Sequence, residues 1–272
     1  MNLDFEKLQN KYSHLFTGGI ADVYLLREAL FGFSEIYEFI DRPEVKDILE
    51  VGSGPGLLMN ELSNSFPDKK FVGVEPFQSA FNKFEKIYNS LTNLEVHNEW
   101  IKDFNYDTKF DLIFSVNVCE HVDDWKGYID KTMTLLKDGG TNVIMCPIYD
   151  IPYENHTIIP VVINKDITYK IFEKKIRKYE VDLNLPGNWE TLNFIKARDV
   201  KKYIQEDFDF NFDNQIPQRL LKRLTEDKYF LQRHGMIGSI CKIFYNLKVD
   251  SFIFNVLGVP FPYMKVSIFH KK

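Results

Sequence analysis

The residues able to do chemistry in this chain fall in a few short stretches. "ILEVGSGPGLL" (48–58) sets Glu50 just ahead of Gly52, Gly54 and Gly56. "FVGVEP" (71–76) ends on a second acid, Glu75, followed by Pro76. "SVNVCEHVDDW" (115–125) carries Asn117, Cys119, Glu120 and His121, and "YENHTIIP" (153–160) carries Tyr153, Glu154 and His156. Glycines let a backbone approach a ligand closely. An acid this near such a loop implies a ligand with no anion at that point. A carboxylate one strand away can accept charge-assisted hydrogen bonds from a diol. A histidine, with an ordinary pKa of about 6.5, can take a proton from a hydroxyl.

The loop is poorly matched to phosphate. A dinucleotide fingerprint needs glycine where Leu57 stands, and a Walker loop would end in Gly-Lys-Ser/Thr, which is absent. S-adenosylmethionine fits better, because it has no phosphate and carries a sulfonium, an ammonium and a ribose diol.

These residues are positioned by an alternation of elements. "KDILEV" (46–51), "KFVGVEP" (70–76), "LEVHN" (94–98), "FDLIFSV" (110–116) and "TNVIMCP" (141–147) read as strands. "GLLMNELSNSF" (56–66), "SAFNKFEKIYNSL" (79–91) and "WKGYIDKTMTLLK" (125–137) read as helices, the last stopped by Asp138-Gly139-Gly140. This predicts an α/β fold with a doubly wound, mostly parallel sheet. Its ligand edge, at the carboxyl ends of the strands, takes in Glu50 to Gly56, Glu75, Asn98 to Ile101 and Asn117 to His121. Residues 20–40 have helical spacing, 196–208 and 217–248 read as helical, and 208–212 and 263–271 as late strands. We expect one domain over 1–272: a helical segment 1–45, a cofactor-binding core 46–147, an inserted substrate cap 148–196, and C-terminal helices and strands 197–272.

The chain has 272 residues, 44% of them apolar, and a formal net charge of −5. That charge argues against bulk nucleic-acid binding. Three widely spaced cysteines, Cys119, Cys146 and Cys241, suit a reducing compartment. The polar N-terminus lacks a signal-peptide core, and "SFIFNVLGVPFPYM" (251–264) is too short and proline-broken to span a bilayer. The expected setting is the cytoplasm, with no membrane span.

"ILEVGSGPGLL", "FVGVEP", "FDLIFSVNVCEHVDDW" and "LLKDGGTNVIMCP" together resemble the successive signatures of class I S-adenosylmethionine-dependent methyltransferases, over roughly residues 46–147. The resemblance implies that Glu50, Gly52, Gly54 and Gly56 surround the methionine part of the cofactor. It also implies Glu75 on the ribose and Pro76 and Phe77 beside the adenine. Trp100 replaces an acid common in the family near the adenine amine, which leaves Glu99 or the Ile101 backbone as stand-ins. Asn117 should face the reaction centre, and His121 should line the cofactor pocket.

Glu120-His121, with Asp123 and Asp124 close by, invites a metal reading. Adjacent residues on a helix diverge, and no second cluster stands at ligand spacing, so no metal is expected. Asp123 or Asp124 is expected to cap the helix from Trp125. His156, just after the fifth strand, is the candidate general base, with Tyr149, Tyr153 and Glu154 shaping the acceptor site. The basic run 165–178, including Lys174 and Lys175, reads as a solvated helix face or as a patch for a phosphorylated acceptor. Nothing in the sequence decides roles for Arg233 and His234.

The expected activity is methyl transfer to a small molecule or carbohydrate precursor, including phosphorylated or nucleotide-linked ones, at oxygen. A bacterial surface-glycan pathway would suit the composition. A nucleic-acid acceptor, N-methylation and a non-catalytic cofactor-binding subunit stand as alternatives. The sequence does not give the oligomeric state.

Overall fold

A computed structural model describes residues 3–16, 18–88, 92–249, 254 and 260–271. In chain order the elements begin with α1 (Phe5–Lys11), α2 (Ile20–Ile40), β1 (Asp47–Val51), α3 (Leu57–Ser65), β2 (Lys70–Val74), α4 (Gln78–Tyr88) and β3 (Leu94–His97). Next come β4 (Phe110–Val116), a 3-10 turn at Cys119–His121, α5 (Trp125–Leu135) and β5 (Leu136–Pro147). The chain continues through β6 (Tyr153–Glu154), β7 (Ile159–Pro160), α6 (Lys165–Leu183), α7 (Asn188–Thr191) and α8 (Ala197–Ile204). It ends with β8 (Phe208–Phe212), α9 (Ile216–Glu226), α10 (Lys228–Asn246) and β9 (Tyr263–His270).

Seven strands form one sheet in the order β3-β2-β1-β4-β5-β9-β8. The pairs among β1 to β5 are parallel, while β9 runs antiparallel to both β5 and β8. The mostly parallel, doubly wound sheet expected from the sequence is therefore present. Strand side chains alternate faces, so neighbouring aliphatics serve opposite cores. Ile48, Phe71, Leu112 and Phe114 pack toward α2 and α3, with Ile36, Leu58 and Leu62. Leu49, Val72, Ile113 and Ile144 pack toward α5 and α8, with Ile129, Met133, Val200 and Ile204. The order reverses between β1 and β4. In open α/β sheets ligands bind at such a reversal, outside the carboxyl ends of the strands, and the loops after β1, β2 and β4 lie at that end.

One boundary differs from the sequence reading. α5 stops at Leu135, and Leu136 already pairs with Phe110 as the first residue of β5. Burying Leu136 fully outweighs the glycine stop signal, and the Asp138-Gly139-Gly140 segment becomes an irregularity inside the strand, with Gly139 at φ +80. The stretch 217–248 that reads as helical holds two helices, α9 and α10, and α10 is itself broken at Gly235 (φ 53, ψ −130).

Residues 148–196 carry a small hairpin of β6 with β7 and a cluster of their own, Ile159, Ile176, Trp189 and Leu192. No described helix is long and apolar enough to cross a membrane. Most of the apolar stretch 251–264 lies outside the described residues.

Candidate active site

The loop after β1 owes its shape to its glycines. Gly52, Gly54 and Gly56 all take positive φ (73, 54 and 77), a region that favours glycine. At Gly52 a Cβ would meet Val118 Cγ2 at 2.4 Å, whereas at Gly54 it would meet nothing described within 4 Å. Gly54 thus faces open space while Gly52 is clamped against the loop after β4. Leu57, where a nucleotide fingerprint would have glycine, is the first residue of α3 and is buried in the core.

Two carboxylates stand beside this loop. Glu50 is buried, and its Oε2 has no hydrogen-bond partner among the described residues. Burial, and then the charge of Glu75, push its pKa well above the usual carboxylate range. Glu75 is also buried, and burial raises its pKa against two backbone donors. Its Oε2 accepts from the Gly54 N–H at 2.8 Å and its Oε1 from the Phe77 N–H at 2.9 Å. Each oxygen keeps further acceptor capacity.

Beyond Glu75, Phe77 (58% exposed) and Trp100 (52% exposed) form an edge-to-face pair with ring centroids 5.8 Å apart. Pro76 lies between Glu75 and Phe77. Glu99 is turned toward His97, its Oε1 lying 3.7 Å from Nδ1, and the Ile101 side chain is part of the core. An orphan buried carboxylate oxygen, open space over Gly54, a doubly anchored carboxylate and an exposed aromatic pair fit a cationic ligand with a diol and an aromatic base. S-adenosylmethionine is such a ligand.

Asn117 follows β4 in the left-handed region (φ 56). Its Nδ2 donates to Glu28 Oε2 at 3.2 Å and its Oδ1 accepts from the Tyr263 hydroxyl at 2.8 Å. Glu28 is in turn paired with Arg223 at 2.8 Å. Asn117 is therefore fixed in the wall of a cavity of about 350 Å³. Phe31, Leu220, Leu224, Phe230, Ile237 and Phe261 supply much of its apolar wall. Tyr153, His156 and Arg233 are among its polar groups. The Arg233 guanidinium donates to the His156 carbonyl at 3.0 Å and lies 4.8 Å from the Tyr24 ring centre.

His156 is buried and tightly held. Glu154 accepts from the His156 N–H at 2.8 Å, from its Nδ1 at 2.7 Å and from the Thr157 N–H at 2.7 Å. Burial opposes ionisation of Glu154, but the charge and hydrogen bonds of His156, with those of Thr157, take its pKa down to about 2. For His156 the balance of burial against Glu154 raises the pKa. Its Nε2 lies 3.7 Å from Glu120 Oε1, and His121 Nε2 lies 3.8 Å from the same oxygen. Burial lifts Glu120 to about 7 and lowers His121 to about 3.

Tertiary folding thus joins Glu120, His121 and His156, with one potential ligand atom from each within 4.8 Å of the others. The sequence reading set the first two aside because helical neighbours diverge. They lie on a tighter 3-10 turn, and the third member comes from the β6–β7 hairpin. His121 turns toward Thr191 and His156. Asp124 caps α5 as expected, accepting from the Gly127 N–H at 3.0 Å.

Other expected acceptor residues sit apart. Tyr149 is buried against Phe194, ring centroids 4.2 Å apart, with its hydroxyl 3.3 Å from Glu154. Lys174 and Lys175 do not line the cavity, and the Lys175 ammonium donates to the Ile158 carbonyl at 2.7 Å. Much of the basic run is paired locally: Arg177 with Glu180 and Glu190, and Lys178 with Asp182. Arg233, Glu28 and Tyr263 emerge as cavity groups only from the fold. No local motif surrounds them.

A family model described as a methyltransferase domain matches residues 49–141. An uncharacterized protein of Mycobacterium tuberculosis strain H37Rv is 29% identical over 223 residues, covering 78% of this chain and 75% of that protein. Malonyl-[acyl-carrier protein] O-methyltransferase 2 of Ilyobacter polytropus is 26% identical over 168 residues, covering 62% and 56%. In fold, the chain is similar to the plantazolicin methyltransferase BpumL, solved in complex with a triazolic desmethylPZN analog and SAH. The TM-score is 0.51 at 12% identity, covering 98% of this chain and 91% of that one.

Proposed function

The chain belongs to the class I S-adenosylmethionine-dependent methyltransferase family, and on that premise we propose that it methylates an oxygen of a small, largely apolar molecule held beside Asn117. The observation that carries this reading is the cavity. Its wall is mainly aromatic and aliphatic, with a few polar groups gathered near Asn117 and His156, as ligand pockets commonly are.

The bound cofactor supplies an electrophilic methyl group. Glu50 and the glycine loop would hold its cationic part, Glu75 its ribose hydroxyls, and Phe77 with Trp100 its adenine. Asn117 follows β4 and lines the cavity, and in this reading it aligns acceptor with donor. Such alignment contributes about 7–11 kcal/mol in well-oriented systems. An oxygen acceptor must also lose a proton. We assign that proton to the cluster around His156, whose ring is oriented by Glu154. The segment 148–196, which brings His156 in, then acts as a substrate cap over the 46–147 core.

The preference for oxygen is also in line with the name of the Ilyobacter relative, an O-methyltransferase. A phosphorylated or nucleotide-linked sugar is less well supported, because Lys174 and Lys175 stand away from the cavity. The test uses S-adenosylmethionine labelled in its methyl group with apolar phenols, apolar carboxylic acids and sugar nucleotides as acceptors. The reading expects label on oxygen of an apolar acceptor. It also expects that transfer to be lost in Leu224→Trp, which fills the cavity, with cofactor binding kept. Transfer to a sugar nucleotide, undiminished in Leu224→Trp, would overturn it.

A further inference from the structure

The hydrogen bonds around the Glu120 cluster hold both imidazoles with Nε2 toward Glu120. The Thr191 hydroxyl donates to the Asn188 carbonyl at 2.8 Å, so its oxygen accepts the 2.7 Å bond from His121 Nδ1. His121 then carries its proton on Nδ1 and presents a bare lone pair at Nε2. That lone pair faces Glu120 Oε1 at 3.8 Å. Glu154 is an acceptor, so His156 also donates through Nδ1 and turns its Nε2 to the same oxygen, 3.7 Å away.

These distances are too long for hydrogen bonds. Glu120 is fully buried, and neither of its oxygens has a hydrogen-bond partner among the described residues. A buried carboxylate without a partner is costly. The arrangement is that of donors converging on a point where a cation belongs.

We propose that Glu120, His121 and His156 bind one divalent first-row transition-metal ion at the edge of the cavity. Two imidazoles and one carboxylate suit zinc, iron, cobalt, nickel or manganese better than magnesium or calcium, which take mainly oxygen ligands. Ligand bonds of about 2.0–2.2 Å space neighbouring donors roughly 3 to 3.5 Å apart, so the site closes on an ion by small side-chain shifts. His156 has the kind of outer partner that metal-bound histidines use, the Glu154 carboxylate, and the Thr191 hydroxyl stands behind His121. His156 also lines the cavity, which places the ion against a bound acceptor. With the ion bound, His156 Nε2 is a ligand and not the proton acceptor; the ion would instead polarise an acceptor oxygen and ease the loss of its proton to solvent. That role rests on the methyl-transfer reading, whereas the site itself does not.

The test is calorimetric titration of the full chain, stripped with chelator, with zinc, nickel or manganese chloride, in the absence of cofactor and acceptor. The expected result is saturable binding of one ion per chain by at least one of these metals, weakened 100-fold or more in Glu120→Gln, His121→Ala and His156→Ala. Glu154→Gln, an outer partner, should lose roughly 10–100-fold. Glu120→Gln should also leave the metal-free protein about as thermostable, since neither Glu120 oxygen has a hydrogen bond to lose among the described residues, while abolishing the rise in Tm on adding metal. S-adenosylhomocysteine binding reports that each variant is folded. Absence of one-to-one binding, or binding unchanged in Glu120→Gln and His121→Ala, would overturn the proposal and leave the methyl-transfer reading to its own test.

Discussion

The Gly54 N–H donates to Glu75 Oε2 at 2.8 Å, so the glycine loop after β1 and the acid after β2 form one preorganised unit. The Phe77 N–H holds the other oxygen. The carboxylate is therefore fixed before any ligand arrives, and little ordering remains to be done on binding.

The two glycines of that loop should respond differently to alanine. At Gly52 a new Cβ collides with Val118, so Gly52→Ala should cost stability, about 1–3 kcal/mol by strain and overpacking. At Gly54 the protein leaves room. There, strain is about 1–2 kcal/mol, and the larger loss should fall on cofactor affinity. Thermal unfolding and calorimetry with S-adenosylhomocysteine on both variants separate the two effects; equal losses in both quantities would contradict the reading.

Binding of S-adenosylmethionine should release protons and strengthen with pH. Burial, followed by the charge of Glu75, raises the Glu50 pKa, and a cation beside it favours the ionised form. The folded-state pKa lies above the unfolded one, so Glu50's contribution to stability of the free protein is full below the unfolded value. It fades as pH rises through the folded value. Titrations above the ordinary carboxylate range, in buffers of different ionisation enthalpy, should show that release. Affinity that falls with pH would count against Glu50 as a cofactor ligand.

Trp100→Ala should weaken cofactor binding by about 0.5–1.5 kcal/mol, roughly 2–10-fold, because it removes one half of the exposed pair with Phe77. Phe77→Ala should do the same. Unchanged dissociation constants in both would remove the pair from the adenine site.

Glu35→Ala should be among the more destabilising single changes. Glu35 accepts from Arg219 Nε at 2.7 Å and from the buried Lys265 ammonium at 2.8 Å, tying α2 to α9 and β9. Removing one partner of a buried network costs about 3–5 kcal/mol. Urea unfolding checks this; a change under about 1 kcal/mol would show the network to be slack.

Much of this molecule is legible in local sequence. The strand–loop–helix around Glu50 to Leu57 and the acid in "FVGVEP" announce themselves by residue type and spacing, because the turn needs positive φ and the strands need aliphatics. What is not legible depends on distant packing. β5 begins at Leu136 rather than after the glycines because that leucine is buried against the sheet. Glu120 and His121 gain meaning only when the β6–β7 hairpin delivers His156. Lys175, which reads as a surface cation, is engaged with a carbonyl that no spacing rule would suggest.

The central claim is that this loop and Glu75 hold S-adenosylmethionine, and calorimetric titration of the wild type and Glu75→Ala with S-adenosylhomocysteine tests it most directly. Hydrogen bonds to a charged group contribute about 1.5–3 kcal/mol each. Loss of the carboxylate should therefore weaken binding at least roughly 10-fold, with the heat of binding reduced. Wild-type binding that survives Glu75→Ala unchanged would contradict the account.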